Sequence, residues 1–251
     1  MHIGPAFSTL VTRQDIVEWA APYDRWGVPE TLAEALGTAD RPDPVQPTHG
    51  GPAGNARLTA WVGAVLFALL LVEGITLVDV HGLISWHITV GLLLIPPVLL
   101  KLASTGWRMV RYYTGNPAYR TAGAPPMVLR VLGPLVILST LALLATGVAV
   151  ALLGPDVARQ GLWQTPLSPL FLHQASFAGW IVVTSVHVLG RLVPAARILT
   201  GRAVASQRVG GGVVRGVLIA MAALAAVGLA LVVFGDTTAW QHDVFRHFSH
   251  H

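Results

Sequence analysis

Residues 83–105 read LISWHITVGLLLIPPVLLKLAST. Twenty-three residues pass with one formal charge, that of Lys101. A run of this length is the mark of a transmembrane helix, because about 20 residues at 1.5 Å each cross the hydrocarbon core. Four more such runs lie at roughly 58–78, 127–153, 169–193 and 213–234. None alternates apolar with polar residues, which excludes a β-barrel. Only helices or closed barrels satisfy the backbone in lipid. The expected fold is therefore all-α: an integral membrane bundle of five transmembrane helices.

Composition agrees with that expectation. Of 251 residues, 53% are hydrophobic and 11% charged, against about 25% charged in soluble domains. The isoelectric point near 10.1 invites a nucleic-acid reading, but the distribution of charge opposes it. Arg108, Arg111, Arg120 and Arg130 lie around the connection between the second and third runs, and Arg191, Arg197, Arg202, Arg208 and Arg215 around that between the fourth and fifth. Residues 79–82 hold no Lys or Arg, and residues 154–168 hold only Arg159. Basic residues concentrate in cytoplasmic connections. The expected topology has the N-terminus in the cytoplasm, the C-terminus outside, and the cell membrane as host. No apolar segment precedes residue 58, so the first span, rather than a cleaved signal peptide, is expected to direct insertion. The absence of cysteine rules out disulfides, cysteine-ligated iron–sulfur clusters, covalently attached c-type haem and thiol catalysis.

Three regions follow: residues 1–57, a cytoplasmic segment and linker; 58–234, the membrane domain; and 235–251, an outer tail. The first holds seven of the twelve acidic residues. Residues 12–20 and 29–37 read as short helices, the second stopped by Gly37, and residues 41–52 as a linker rich in proline and glycine. This segment is either an inert or loosely docked tail, or a docking site for a cytoplasmic partner. The tail carries Trp240, His242, Phe245, His247, Phe248, His250 and His251. His242 and His247 are five apart and off one helical face, so an interfacial or partner-facing tail is expected rather than a metal site. Gly210, Gly211 and Gly212 read as a bend before the last span, lacking the Lys-Ser/Thr of a phosphate loop.

The chemistry is expected inside the membrane. His87 and Lys101 lie fourteen residues apart on the second span, and His173 and His187 fourteen apart on the fourth. Fourteen residues is about 21 Å and close to four turns, so each pair shares a helix face. The two spans run parallel, and the expectation is two levels: His87 opposite His173 outside, Lys101 opposite His187 inside. Facing imidazoles in a bundle suit axial ligation of haem iron. Gly133 and Gly147 on the third span and Gly74, with Ala60, on the first match these levels and leave room for a flat ring. Trp180 lies midway between His173 and His187.

With these residues the chain resembles the membrane cytochrome b superfamily, over roughly residues 58–193. The resemblance implies a four-helix bundle holding two b-type haems between its second and fourth helices, with His87, His173 and His187 as ligands and Gly133 and Gly147 as packing positions. Lys101 stands in the place of the fourth histidine. It either snorkels or pairs with a haem propionate, or ligates iron as the neutral amine, which leaves one haem or two. Pro96 and Pro97 are expected to kink the second span. His81 is read as an outer propionate contact or a loop residue, and Arg191 as an inner propionate contact or a topological arginine. Glu73, an acid inside the first span, is a candidate for proton transfer or a quinol contact, against a structural role.

The function expected is electron transfer across the membrane, or between a redox partner protein and quinone. The chain would act as a subunit of a larger oxidoreductase rather than as a stand-alone enzyme, because no flavin, nicotinamide or iron–sulfur site is legible. The alternative is a haem-free transporter or assembly scaffold that uses its intramembrane His, Lys and Glu for ions.

Overall fold

A computed structural model describes residues 14, 15, 18, 27–39, 43–46, 50–202, 209–234, 237, 240 and 241. All regular structure among them is helical: α1 (Val28–Ala35), α2 (Gly51–Thr76), α3 (Ile84–Tyr113), α4 (Pro117–Ala122), α5 (Met127–Ala158), α6 (Pro169–Leu199) and α7 (Gly212–Phe234), with one 3-10 turn over Leu162–Gln164. Five of these, α2, α3, α5, α6 and α7, are long and apolar enough to cross a membrane. The protein is an integral membrane protein, and large side chains such as Leu71, Val182, Leu189, Leu224 and Leu231 are exposed where lipid would cover them.

The helices outrun the apolar runs at one end. The first begins at Gly51 rather than 58, the second ends at Tyr113 rather than 105, and the fourth ends at Leu199 rather than 193. The added turns carry Arg57, Arg108, Arg111 and Arg197. Arginine raises the cost of burial in lipid but is a good helix former, so hydropathy falls while the helix continues. A helix of thirty residues is about 45 Å long against a core of about 30 Å. This extended end is called the basic end, and the opposite one the distal end.

Local sequence explains the stops. Gly154 adopts φ 74° and breaks α5 one residue before Pro155, where the third apolar run ends. The side chain of Ser168 caps α6 by accepting from the Phe171 amide at 3.1 Å. α3 runs through Pro96 and Pro97 as one helix, although each proline removes one backbone donor.

α2 packs closely on α3, and α5 on α6, so the bundle consists of two antiparallel hairpins. They meet more sparsely, through α2 against α6 and α3 against α5. The helices thus form a ring in which α3 and α6 stand diagonally opposite. α7 lies outside the ring against α3. Leu58, Val62, Leu66 and Leu94 form the core of the first hairpin, with Ile219 of α7 packed on it.

Two peripheral segments are tied to the bundle. At the basic end, Arg108 donates to both oxygens of Asp43 at 2.6 and 3.2 Å, and Arg191 reaches Glu34 at 3.2 Å. α1 and residues 43–46 are therefore held against the helix ends, and Gly37 takes φ 72° against Val193 and Arg197, as a glycine stop requires. At the distal end, Trp240 is buried with Val150 and Ala158, with Ile84, Ile88 and Leu170 packed around it. Gln241 donates to the Ser85 hydroxyl. The start of the tail therefore folds back onto the bundle. Of the expected helix at 12–20, residues 14, 15 and 18 are described and are helical, while the tail residues His242, Phe245, His247, Phe248, His250 and His251 lie outside the described residues.

Candidate functional site

The distal level is a histidine pair with an anchored tautomer. His87 sits in the first turn of α3 and His173 near the start of α6. Their ring centroids are 6.3 Å apart, with planes at 68°. The hydroxyl of Thr76 donates to the Glu73 carbonyl at 2.6 Å and also lies 3.1 Å from His87 Nδ1. Its proton is spent on the carbonyl, so its lone pair must face a proton on Nδ1. Glu73 Oε1, which only accepts when ionised, lies 2.9 Å from the same nitrogen. The other ring repeats the arrangement. Thr146 donates to the Ala142 carbonyl at 2.7 Å and lies 3.2 Å from His173 Nδ1. Both imidazoles are therefore assigned as Nδ1–H tautomers, which leaves the lone pair of each on Nε2. The contacts described for both rings are made at Nδ1, and the Leu143 carbonyl also acts on the His173 ring.

Each helix of the ring supplies one component: Glu73 and Thr76 from α2, His87 from α3, Thr146 and Gly147 from α5, and His173 from α6. Gly147 lies against the His173 ring. A Cβ there would lie 3.0 Å from Cε1 and 3.4 Å from Nδ1 of His173, so even a methyl group would require the ring to give by a few tenths of an ångström. Nothing lies within 4 Å of a Cβ built at Gly74, and its side of α2 is open at this level.

The two rings lie edge to face. Metal–imidazole bonds run about 2.0–2.1 Å, so two rings on one metal hold their centroids about 6 Å apart. The observed spacing fits. A ligating histidine usually commits its other nitrogen to a carboxylate, carbonyl or hydroxyl, and both rings do so. Among the described residues no three His, Cys, Asp or Glu side chains converge on one point; a porphyrin brings its own equatorial nitrogens and takes only axial ligands from the protein.

Fourteen residues along, the basic-end level is built differently. Lys101 Nζ donates to the Thr59 carbonyl at 3.0 Å. It fills the space over Gly63, where a Cβ would lie 2.9 Å from Nζ. Its amine is thus turned toward α2. Thr59 continues into a polar chain, its hydroxyl 2.8 Å from that of Ser104, which Asn55 also engages at 3.0 Å. Lys101 and Arg191 both lie within electrostatic range of His187. The Thr184 hydroxyl, three residues before His187, is buried without a hydrogen bond. A Cβ built at Gly133 meets nothing within 4 Å. Arg191, expected as a propionate contact, pairs with Glu34. His81 is exposed in the distal turn. Between the levels, Trp180 is buried, donates to Thr140 at 3.1 Å and stacks with Phe177.

No protein-family model, curated protein or solved structure matches this chain. The reading of the site rests on its own geometry.

The structure brings together His87, His173 and Gly147, all singled out from the sequence. Sequence reasoning missed Thr76 and Thr146, and it gave Glu73 no partner. One signal was available. Glu73 and His87 are each seven residues from position 80, the middle of the turn joining α2 to α3, and an antiparallel hairpin brings residues equidistant from its turn to the same depth.

Proposed function

We propose that the chain is a membrane cytochrome of the b type, with haem held axially by His87 and His173. The observation that supports this reading most is the pair of Nδ1-anchored imidazoles at 6.3 Å on diagonal helices. In this reading Glu73, Thr76 and Thr146 fix the ring orientations, Gly147 seats His173, and the apolar helix walls exclude water. The bound haem would supply one-electron redox chemistry. The protein's part is ligation, orientation and a low-dielectric path. Trp180, buried midway along α6, fills the interior between the two levels.

A second haem at His187 is the fuller form of the reading, as the resemblance to the di-haem cytochromes implies. The attachment of Lys101 to Thr59 favours the single-haem form, because the amine is engaged on α2. In either form the distal end faces the outside of the cell membrane and the basic end the cytoplasm, by the positive-inside rule. The chain then works as an electron-transfer subunit whose donor or acceptor is a protein or a quinone.

The test is the absorption spectrum of the purified protein, expressed with ample haem, together with the haem-to-protein ratio. A Soret band with split α and β bands on reduction is expected. One haem per chain supports the distal site alone, and two supports both levels. No Soret band leaves the haem-free reading, in which the same residues handle ions.

A further inference from the structure

Glu73 is a carboxylate inside an apolar span, its side chain 15% exposed. Such a group is costly in lipid and persists where it has a partner and a task. Its only ionisable partner among the described residues is His87, at 2.9 Å. Its second oxygen, Oε2, is buried without a hydrogen bond. Its described ion pair is directed at one imidazole. The facing ring has no equivalent. His173 Nδ1 meets the neutral hydroxyl of Thr146. The two rings are matched in tautomer and unmatched in charge.

We propose that Glu73 is a positioning residue that makes His87 the stronger electron donor of the two ligands and so favours the oxidised state of the metal centre. This rests on the haem reading above. The physical cause is direct. An anion against Nδ1–H draws the proton toward itself and leaves more negative charge on Nε2. The oxidised centre carries one more positive charge than the reduced one. A fixed anion in a low-dielectric site therefore stabilises it more. The centre should be easier to oxidise than one held by two histidines on neutral acceptors.

The test compares midpoint potentials of the full-length, haem-loaded protein in wild type, Glu73→Gln, Glu73→Asp and Thr146→Val. Glutamine keeps an acceptor for Nδ1–H and removes the charge, so a purely structural role would leave the potential unmoved. The expected result, in the haem-loaded fraction of the variant, is a potential raised by about 59 mV or more, a tenfold loss of preference for the oxidised state in a one-electron couple. Thr146→Val, which removes only a neutral acceptor, should move it less. Should Glu73→Gln not accumulate, Glu73→Asp decides: it holds the charge one methylene further from Nδ1, and a smaller rise is expected. A haem-loaded variant with the wild-type potential overturns this proposal and leaves the cytochrome reading standing. A wild type without a Soret band overturns the cytochrome reading itself.

Discussion

The two levels of the bundle share a spacing and differ in everything else. At the distal level, four helices converge on one pair of rings, and every hydroxyl proton around them is committed. At the other level of the same two helices, Lys101 leaves the centre for a carbonyl of α2, and Arg191, one turn past His187, is drawn outward to Glu34. A repeat in sequence fixes depth and helix face. It does not fix the partner, and the partner decides whether a side chain points inward with an open lone pair or outward to a fixed acceptor. A repeated spacing is therefore evidence for a repeated position, not for a repeated site.

The largest effects should fall on the distal level. His87→Ala and His173→Ala should each abolish the haem signal of that level, read as the fall in haem-to-protein ratio. If either variant keeps the full signal, the pair is not the ligand set. Gly147→Val should approach the same loss, because its side chain must displace the His173 ring. Gly133→Ala, at a position with no neighbour to meet, should stay within about 0.5 kcal/mol of wild type in thermal denaturation. Equal losses from the two glycine changes would erase the contrast between the levels.

Lys101→Met comes next. It deletes a charged hydrogen bond to Thr59, at a cost of about 1–3 kcal/mol in a denaturation series, and should leave the distal spectrum untouched. A loss of one haem from that variant would instead make the levels chemically alike. The smallest effect belongs to Glu34→Gln. An accessible ion pair contributes about 0–1 kcal/mol, so stability should barely change. The readout is limited proteolysis, where faster cleavage within residues 28–46 is expected once the tie to Arg191 is cut.

The five spans were legible because lipid imposes one requirement, a long apolar helix, and the sequence meets it without ambiguity. Their basic ends were not. Hydropathy records the cost of entering lipid, and Arg57, Arg108 and Arg197 raise that cost while continuing the helix. The end of the third span was legible at 153 because Gly154 and Pro155 stop a helix by backbone geometry. In the site, the histidines stood out through spacing alone. Glu73 stood out as an acid in an apolar run, but its contact with His87 becomes visible only when the turn at residue 80 is treated as a fold axis. The pairing of Arg191 with Glu34 spans 157 positions and leaves no local trace. Trp240 reads as a tail residue, and only the structure shows it beneath Arg159, 5.8 Å from the ring centroid, against the distal ends of α3 and α5.

The sparse contact between the two hairpins has a consequence for how the protein is made. Each hairpin can enter the bilayer and close on itself as it is synthesised. The packing that joins them is sparse, and His87 belongs to one hairpin while His173 belongs to the other. A ligand gripped by both would act as a rivet, and it would add to the assembled form a stability of RT ln(1 + [L]/Kd) that the separated hairpins would not receive. The lifetime of the chain in the cell would then track the supply of that ligand, with unriveted copies the first to be cleared by membrane proteases.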